Sequence, residues 1–246
     1  RMELRRMEDT MLWTAQNLMG TYHSLEAEQA AASARAEAQK HLSEKVKDQE
    51  MLGSSTSYHS QEAYQKWQSA LNEYERLKKE QERVRQELLL LTGFSPDSPV
   101  VLEKMPLPDV SRAALVNPQE DRQQALGNNY ELRSGRMGNA GSNQELHKKQ
   151  RQTELDENQM FASLETLGDQ IRSCQAEWEA ACAKEQAQRA VWQSAVRKRE
   201  QGTMAEGEYL EIYSQYMEEK GNQAQASIRF LLAMEEYDWA KKGLMD

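Results

Sequence analysis

Gly202-Thr203-Met204-Ala205-Glu206-Gly207-Glu208-Tyr209-Leu210-Glu211-Ile212-Tyr213 is a glycine-punctuated break between two long helical patterns, and its reading decides the fold. Glycine reaches left-handed backbone without steric cost, so a short break of this kind reads as the closed end of a helical hairpin. A related break, Gly53-Ser54-Ser55-Thr56-Ser57-Tyr58-His59-Ser60-Gln61-Glu62-Ala63-Tyr64, lies 149 residues upstream, glycine to glycine. Subtracting that offset lays Met160 on Met11, Leu164 on Ala15, Leu167 on Leu18, Ile171 on Tyr22, Cys174 on Leu25 and Ala181 on Ala32. Tyr213 falls on Tyr64 and Tyr216 on Trp67. Two copies of one long hairpin are the simplest account, because repetition at a fixed period is a property of architecture.

Outward from the breaks, apolar or small residues recur at steps of three and four, the spacing of a heptad seam. The first helix carries Met11, Ala15, Leu18, Tyr22, Leu25, Ala32 and Ala36, with Gln29 in the frame, and is expected from Met2 to about Val46, roughly 70 Å at 1.5 Å per residue. Its partner carries Tyr64, Trp67, Leu71, Tyr74, Leu77, Val84, Leu88 and Leu91 and ends at Thr92-Gly93. The third long helix, from about Gln144 to Gln201, carries Met160, Leu164, Leu167, Ile171, Cys174, Trp178, Ala181, Trp192 and Ala195. The fourth, from about Glu206 to Leu244, turns Tyr209, Tyr213, Tyr216, Ile228, Leu231, Met234 and Tyr237 inward. The five tryptophans lie at or near these seams, where helix packing is their expected role.

All five prolines fall between Pro96 and Pro118. Residues 94–110 therefore read as an extended connector with room for one short strand at Val100 to Leu102. A shorter helix is expected after it, from Ser111 or Pro118 to Leu132, with Asn117 as N-cap and Pro118 at the first helical position. A glycine-rich loop over Ser134 to Asn143 follows. The expected fold is all-α: a first hairpin over 1–93 with its tip near 48–57, the connector over 94–110, the short helix and loop over 111–143, and a second hairpin over 144–246 with its tip near 201–207.

A net charge of −9 with no basic stripe argues against nucleic-acid binding and against a helix that wraps acidic lipid, since both need cations facing the phosphates. No run of about 18 apolar residues is present, so none of these residues spans a bilayer as a helix. The chain opens on Arg1, which reads as a mature or excised segment. Cys174 and Cys182 lie eight positions apart on one helix, about 12 Å, too far for a disulfide within the chain, and leave the redox compartment open. His23, His41, His59 and His147 are scattered without a metal-ligand spacing, and no phosphate-binding glycine loop sits between a strand and a helix. Acidic groups such as Glu206, Glu208, Glu235 and Glu236 read as solvated or capping charges. No enzyme, cofactor or metal site is expected.

The tip Gly202-x-x-Ala205-x-Gly207-Glu208-Tyr209-Leu210-Glu211, its counterpart Gly53-x-x-Thr56 and the helix end Leu88-Leu89-Leu90-Leu91-Thr92-Gly93 resemble the TolC-type outer-membrane efflux proteins. So do Leu107-Pro108-Asp109 and Ala114-Leu115-Val116-Asn117-Pro118, which are similar to the junction between that family's two halves. The resemblance implies two repeats per chain and three chains closing a twelve-helix tunnel on the periplasmic side of an outer membrane. It implies that the tips, through Gly53, Ser54, Thr56, Gly202, Thr203, Ala205 and Gly207, dock a periplasmic adaptor (membrane fusion) protein and through it an inner-membrane transporter. Small residues there would let a partner hairpin approach the backbone closely.

One departure concerns the membrane. The family inserts a pair of barrel strands into each repeat, and about ten alternating residues per strand are needed. The Ser134 to Asn143 loop cannot supply them and no pair precedes the first helix. The chain is therefore expected to be a segment without its barrel, or a relative suited to the extracytoplasmic side of a cell lacking an outer membrane. The competing reading is a coiled-coil scaffold without a lumen, whose tips are plain turns. The two differ in the helix faces: a tunnel wall buries two flanks of a helix, a simple hairpin one. Ala27, Ala30, Ala31, Ala32, Ala34, Ala36 and Ala38 put small residues on more than one face of the first helix, as a wall requires.

Overall fold

Long stretches of Ala, Glu, Gln, Lys, Arg and Leu, broken only where glycine or proline intervenes, set the helices of the computed structural model, which describes residues 2–136 and 141–245. They are α1 (Met2–Met51), α2 (Ser57–Leu91), α3 (Val110–Ala114), α4 (Pro118–Asn128), α5 (Tyr130–Arg136), α6 (Asn143–Glu200) and α7 (Glu206–Lys242). No strand is present among the described residues, so the fold is all-α.

Val100 to Leu102 run as irregular chain and not as the short strand the sequence allows. A strand needs a neighbour for its N–H and C=O groups, and this passage is held by side chains instead. The Arg85 guanidinium on α2 donates to the carbonyl oxygens of Pro96, Ser98 and Val100 at 3.4, 2.6 and 3.3 Å. Buried His23 on α1 places Nε2 2.8 Å from the Glu103 carbonyl oxygen, which can only accept, so Nε2–H is the donor. Arg85→Ala should free the connector. We expect faster amide exchange and faster proteolytic cleavage across 94–105, with about 1–2 kcal/mol of stability lost; unchanged protection there would mean that the prolines and the His23 bond hold its path without Arg85.

Local chemistry explains the remaining ends. Asn117 caps α4 by accepting from the Gln119 amide, with Pro118 at the first helical position as expected. The single short helix expected up to Leu132 is split in two. Asn129, 1 % exposed, turns its Oδ1 to the backbone N–H groups of Glu131 and Leu132, each at 2.9 Å, and so starts a new helix. Helix α5 then runs through Ser134 and Gly135 to Arg136, a stretch expected as loop, while 137–140 of that loop lie outside the described residues.

The chain forms two compact units, and three of its long helices contribute to both. One unit joins Arg1–Asn17, Pro106–Ala176 and Arg229–Asp246. Its core holds Leu132, Leu164, Ile171, Phe230, Met234 and Tyr237, and polar ties stitch the end of α7 to its neighbours. Arg112 forks between Glu235 and Asp238 at 2.7 and 2.6 Å, and Asp121 accepts from the Tyr237 hydroxyl while pairing with Lys241. Burial, with Asp121 next in weight, raises the Tyr237 phenol far above its usual range.

The other unit joins Leu18–Met105 and Glu177–Ile228. Here α1 has a neighbour on each flank. Ala32, Arg35 and Gln39 face Lys66, Ser69 and Ala70 of α2, while Gly221 of α7 meets the backbone of Ala27. Helix α7 in turn packs on α6, with Trp192 and Tyr216 stacked at 4.6 Å between ring centroids. Within this unit α1 therefore meets α2 and α7, and α7 meets α1 and α6.

This arrangement corrects the seam expected for α1. Met11 is 51 % exposed, and Ala15, Leu18, Tyr22, Leu25 and Ala32 are half-buried; Ala36 of the seam is buried, as is Ser43 seven residues on in the same frame, while Gly20, His23 and Ala34 are buried outside it. A helix between two neighbours buries two narrow flanks of small residues in place of one apolar stripe. On α2 the expected Leu77, Val84 and Leu88 are buried and Tyr64 is 47 % exposed. On α7 the expected Tyr216, Ile228, Leu231, Met234 and Tyr237 are all buried.

Candidate functional site

Each long hairpin closes through the same hydrogen-bonded turn. After α1, Gly53 takes φ +75°, its N–H bonds the Glu50 carbonyl at 2.9 Å, and the Ser54 N–H and Oγ–H both reach the Gln49 carbonyl. After α6, Gly202 takes φ +68°, its N–H bonds Arg199 at 3.0 Å, and the Thr203 N–H and Oγ1–H both reach the Lys198 carbonyl. All these positions are related by the offset of 149, so the repeat seen in the sequence extends to single hydrogen bonds. The physical reason is the helix C-terminus, whose orphan carbonyls are satisfied by a left-handed residue followed by one more amide.

The next helices start differently. Thr56 caps α2, its hydroxyl accepting from the His59 amide at 3.4 Å. Its counterpart Ala205 has no side chain for this task, and α7 instead opens with Glu206 and Glu208, whose charge suits the positive end of the helix dipole. Glu206 also pairs at 2.8 Å with Arg199, and the Arg199 guanidinium lies 4.2 Å over the Tyr209 ring. The second tip is thus braced by an ion pair and a cation–π contact across its turn.

The expected site residues divide in two groups. Gly53, Ser54, Thr56, Gly202, Thr203 and Ala205 are exposed on the turns themselves. Gly207 lies one step inside α7, half-buried, where an added Cβ would come within 3.2 Å of His41 Nδ1 on α1. Its small size serves helix packing. Sequence reading passed over Met51, Leu52 and Tyr58, which surround the first turn at 71, 82 and 74 % exposure. Their signal was present: two apolar residues just before a glycine turn fit neither seam. No group of three or more His, Cys, Asp or Glu side chains among the described residues could hold a metal ion, and no described helix is long and apolar enough to cross a membrane. Neither cysteine is in a disulfide.

No protein-family model matches the sequence, and no curated protein sequence does either. Solved structures do share its fold. The outer-membrane channel OprN superposes with a TM-score of 0.57 at 14 % identity, over 98 % of this chain and 68 % of that one. VceC, an outer-membrane protein of Vibrio cholerae, gives 0.57 at 12 % identity, over 96 and 70 %. CusC, described for its transmembrane channel formation, gives 0.55 at 12 % identity, over 91 and 79 %. The chain is therefore similar, along nearly its whole length, to the helical part of TolC-type channels; at such identities the likeness is one of fold.

Proposed function

We propose that this chain is a helical conduit component of an export system, the two hairpins 1–93 and 144–246 being its repeated working units. The observation that carries this reading is that α1 meets both α2 and α7, and α7 both α1 and α6, so that each has two helix neighbours. In a lumen-less hairpin scaffold each would have one. The outer flanks of α2 and α6 are then the edges that meet further copies, and a homotrimer closes the wall. The likeness to outer-membrane channels supports the same reading. The protein acts in the cell envelope, its helices on the periplasmic side, or on the extracytoplasmic side of a cell without an outer membrane. Its task is passage and docking, with no catalysis.

In this reading the tips dock a periplasmic adaptor, and through it an inner-membrane transporter. Gly53, Ser54, Thr56, Gly202, Thr203 and Ala205 present accessible backbone, and Met51, Leu52 and Tyr58 add an apolar contact beside the first turn. Two measurements test this. Light scattering should give three times the 28.3 kDa chain mass at working concentration. A photo-crosslinking amino acid at Ser54 or Thr203, introduced in cells, should trap the helical hairpin of an adaptor. Crosslinks to adaptor from mid-helix positions such as Gln81 but none from either turn would remove the docking role, and a chain that stays monomeric while trapping nothing would remove the conduit.

A further inference from the structure

We propose that the unit containing the end of α7 binds a small organic cation of the quaternary-ammonium class in a cleft between Trp13, Glu236 and Trp239. The cleft, of about 250 Å³, is lined by α1, α6 and α7, with Leu167, Leu244 and Met245 adding apolar wall. Binding sites for drug-sized molecules start near about 300 Å³, so this one suits a compact group.

The charge pattern around it is selective. Along α7, Glu235 is held by Arg112 and Gln16, Asp238 by Arg112, and Tyr237 by Asp121. Glu236, between them, receives no hydrogen bond and no ion pair among the described residues, yet it lines the cleft. Burial alone raises its pKa, with no cation nearby to offset it. A partly desolvated carboxylate beside apolar and aromatic walls is complementary to a cation that cannot donate hydrogen bonds and carries its charge on a methyl surface. The indole of Trp239 is fixed for such contact, its Nε1–H donating to Gln16 Oε1 at 2.6 Å. That ring already attracts one cation, the Lys242 ammonium at 4.2 Å, and Lys242 does not line the cleft. Ser163 and Thr166 also line it, their hydroxyls donating to the Gln159 and Ala162 carbonyls and leaving oxygens that can accept from a polar tail.

This inference stands apart from the conduit reading, because it needs neither assembly nor adaptor. The test is isothermal titration calorimetry of the full chain with choline chloride, against 3,3-dimethylbutan-1-ol, its uncharged isostere, with sodium chloride matched throughout. Choline should bind saturably below about 10 mM and the isostere at least about tenfold more weakly. Glu236→Gln, nearly isosteric, should remove that preference while leaving the circular dichroism and melting temperature unchanged. Equal binding of the two probes, no saturable binding of choline, or a Glu236→Gln chain that still prefers choline would each overturn the proposal.

Discussion

Gly243→Ala should destabilise the unit at the end of α7 by about 3–5 kcal/mol, lowering its melting temperature by about 6–15 °C. Two costs add. Gly243 takes φ +107°, where a side chain strains the backbone by about 1–3 kcal/mol. The added Cβ would also collide with the carbonyl group of Asn128, and backbone cannot step aside as a side chain can. The contact is fixed from both sides: the Tyr130 N–H bonds the Gly243 carbonyl at 3.2 Å, and the Asn128 side-chain amide donates to Lys241 at 2.9 Å. Thermal unfolding followed by circular dichroism checks it. A shift under about 2 °C would show that the α4–α5 junction yields to the end of α7 at little cost.

Gly221→Leu should cost about 2–4 kcal/mol in the other unit, and Gly221→Ala within about 1 kcal/mol of nothing. Gly221 is buried in mid-α7, where a Cβ would stand 3.3 Å from the Ala27 carbonyl oxygen and 3.7 Å from the Ala31 Cβ. Alanine must gain a few tenths of an ångström there, and its better helix propensity offsets the strain. Leucine has no such remedy and must push α7 away from α1. Melting temperatures of the pair, with amide exchange over residues 24–34, separate the cases. If the leucine chain melts within about 2 °C of the parent, the close approach is not what sets the spacing of these helices.

The tips show how far local sequence reaches. A glycine, a small polar residue after it and the carbonyls behind it suffice to build the turn, so the repeat at 149 reappears as matching hydrogen bonds at Gly53 and Gly202. The far ends of the hairpins repeat too, but at an offset of 150. Gly93 bonds Leu90 and Phe94 bonds Leu89, as Gly243 bonds Ala240 and Leu244 bonds Trp239. One extra residue in the second return helix hides this from a fixed subtraction, although both helices end by the same device. Gly207 marks the opposite limit: written in the same stretch as Gly202, it serves packing against His41, which only proximity in space reveals.

What the sequence determined by itself is therefore the four long helices, the glycine turns between them and the duplication, because propensity and glycine turns act within a few residues of chain. What only the tertiary structure decided is which surfaces those helices bury. The heptad seam marked Met11 on α1 as inward, and it is exposed, while His23, polar and outside the seam, is buried. The connector follows Arg85 and His23 in place of a strand partner, and Glu236 owes its isolation to Arg112, Gln16 and Asp121 choosing its neighbours. The physical reason is common to all of these. Burial and charge pairing depend on what stands opposite a residue, and a helix with neighbours on two flanks has two answers where the periodicity of its sequence allows for one.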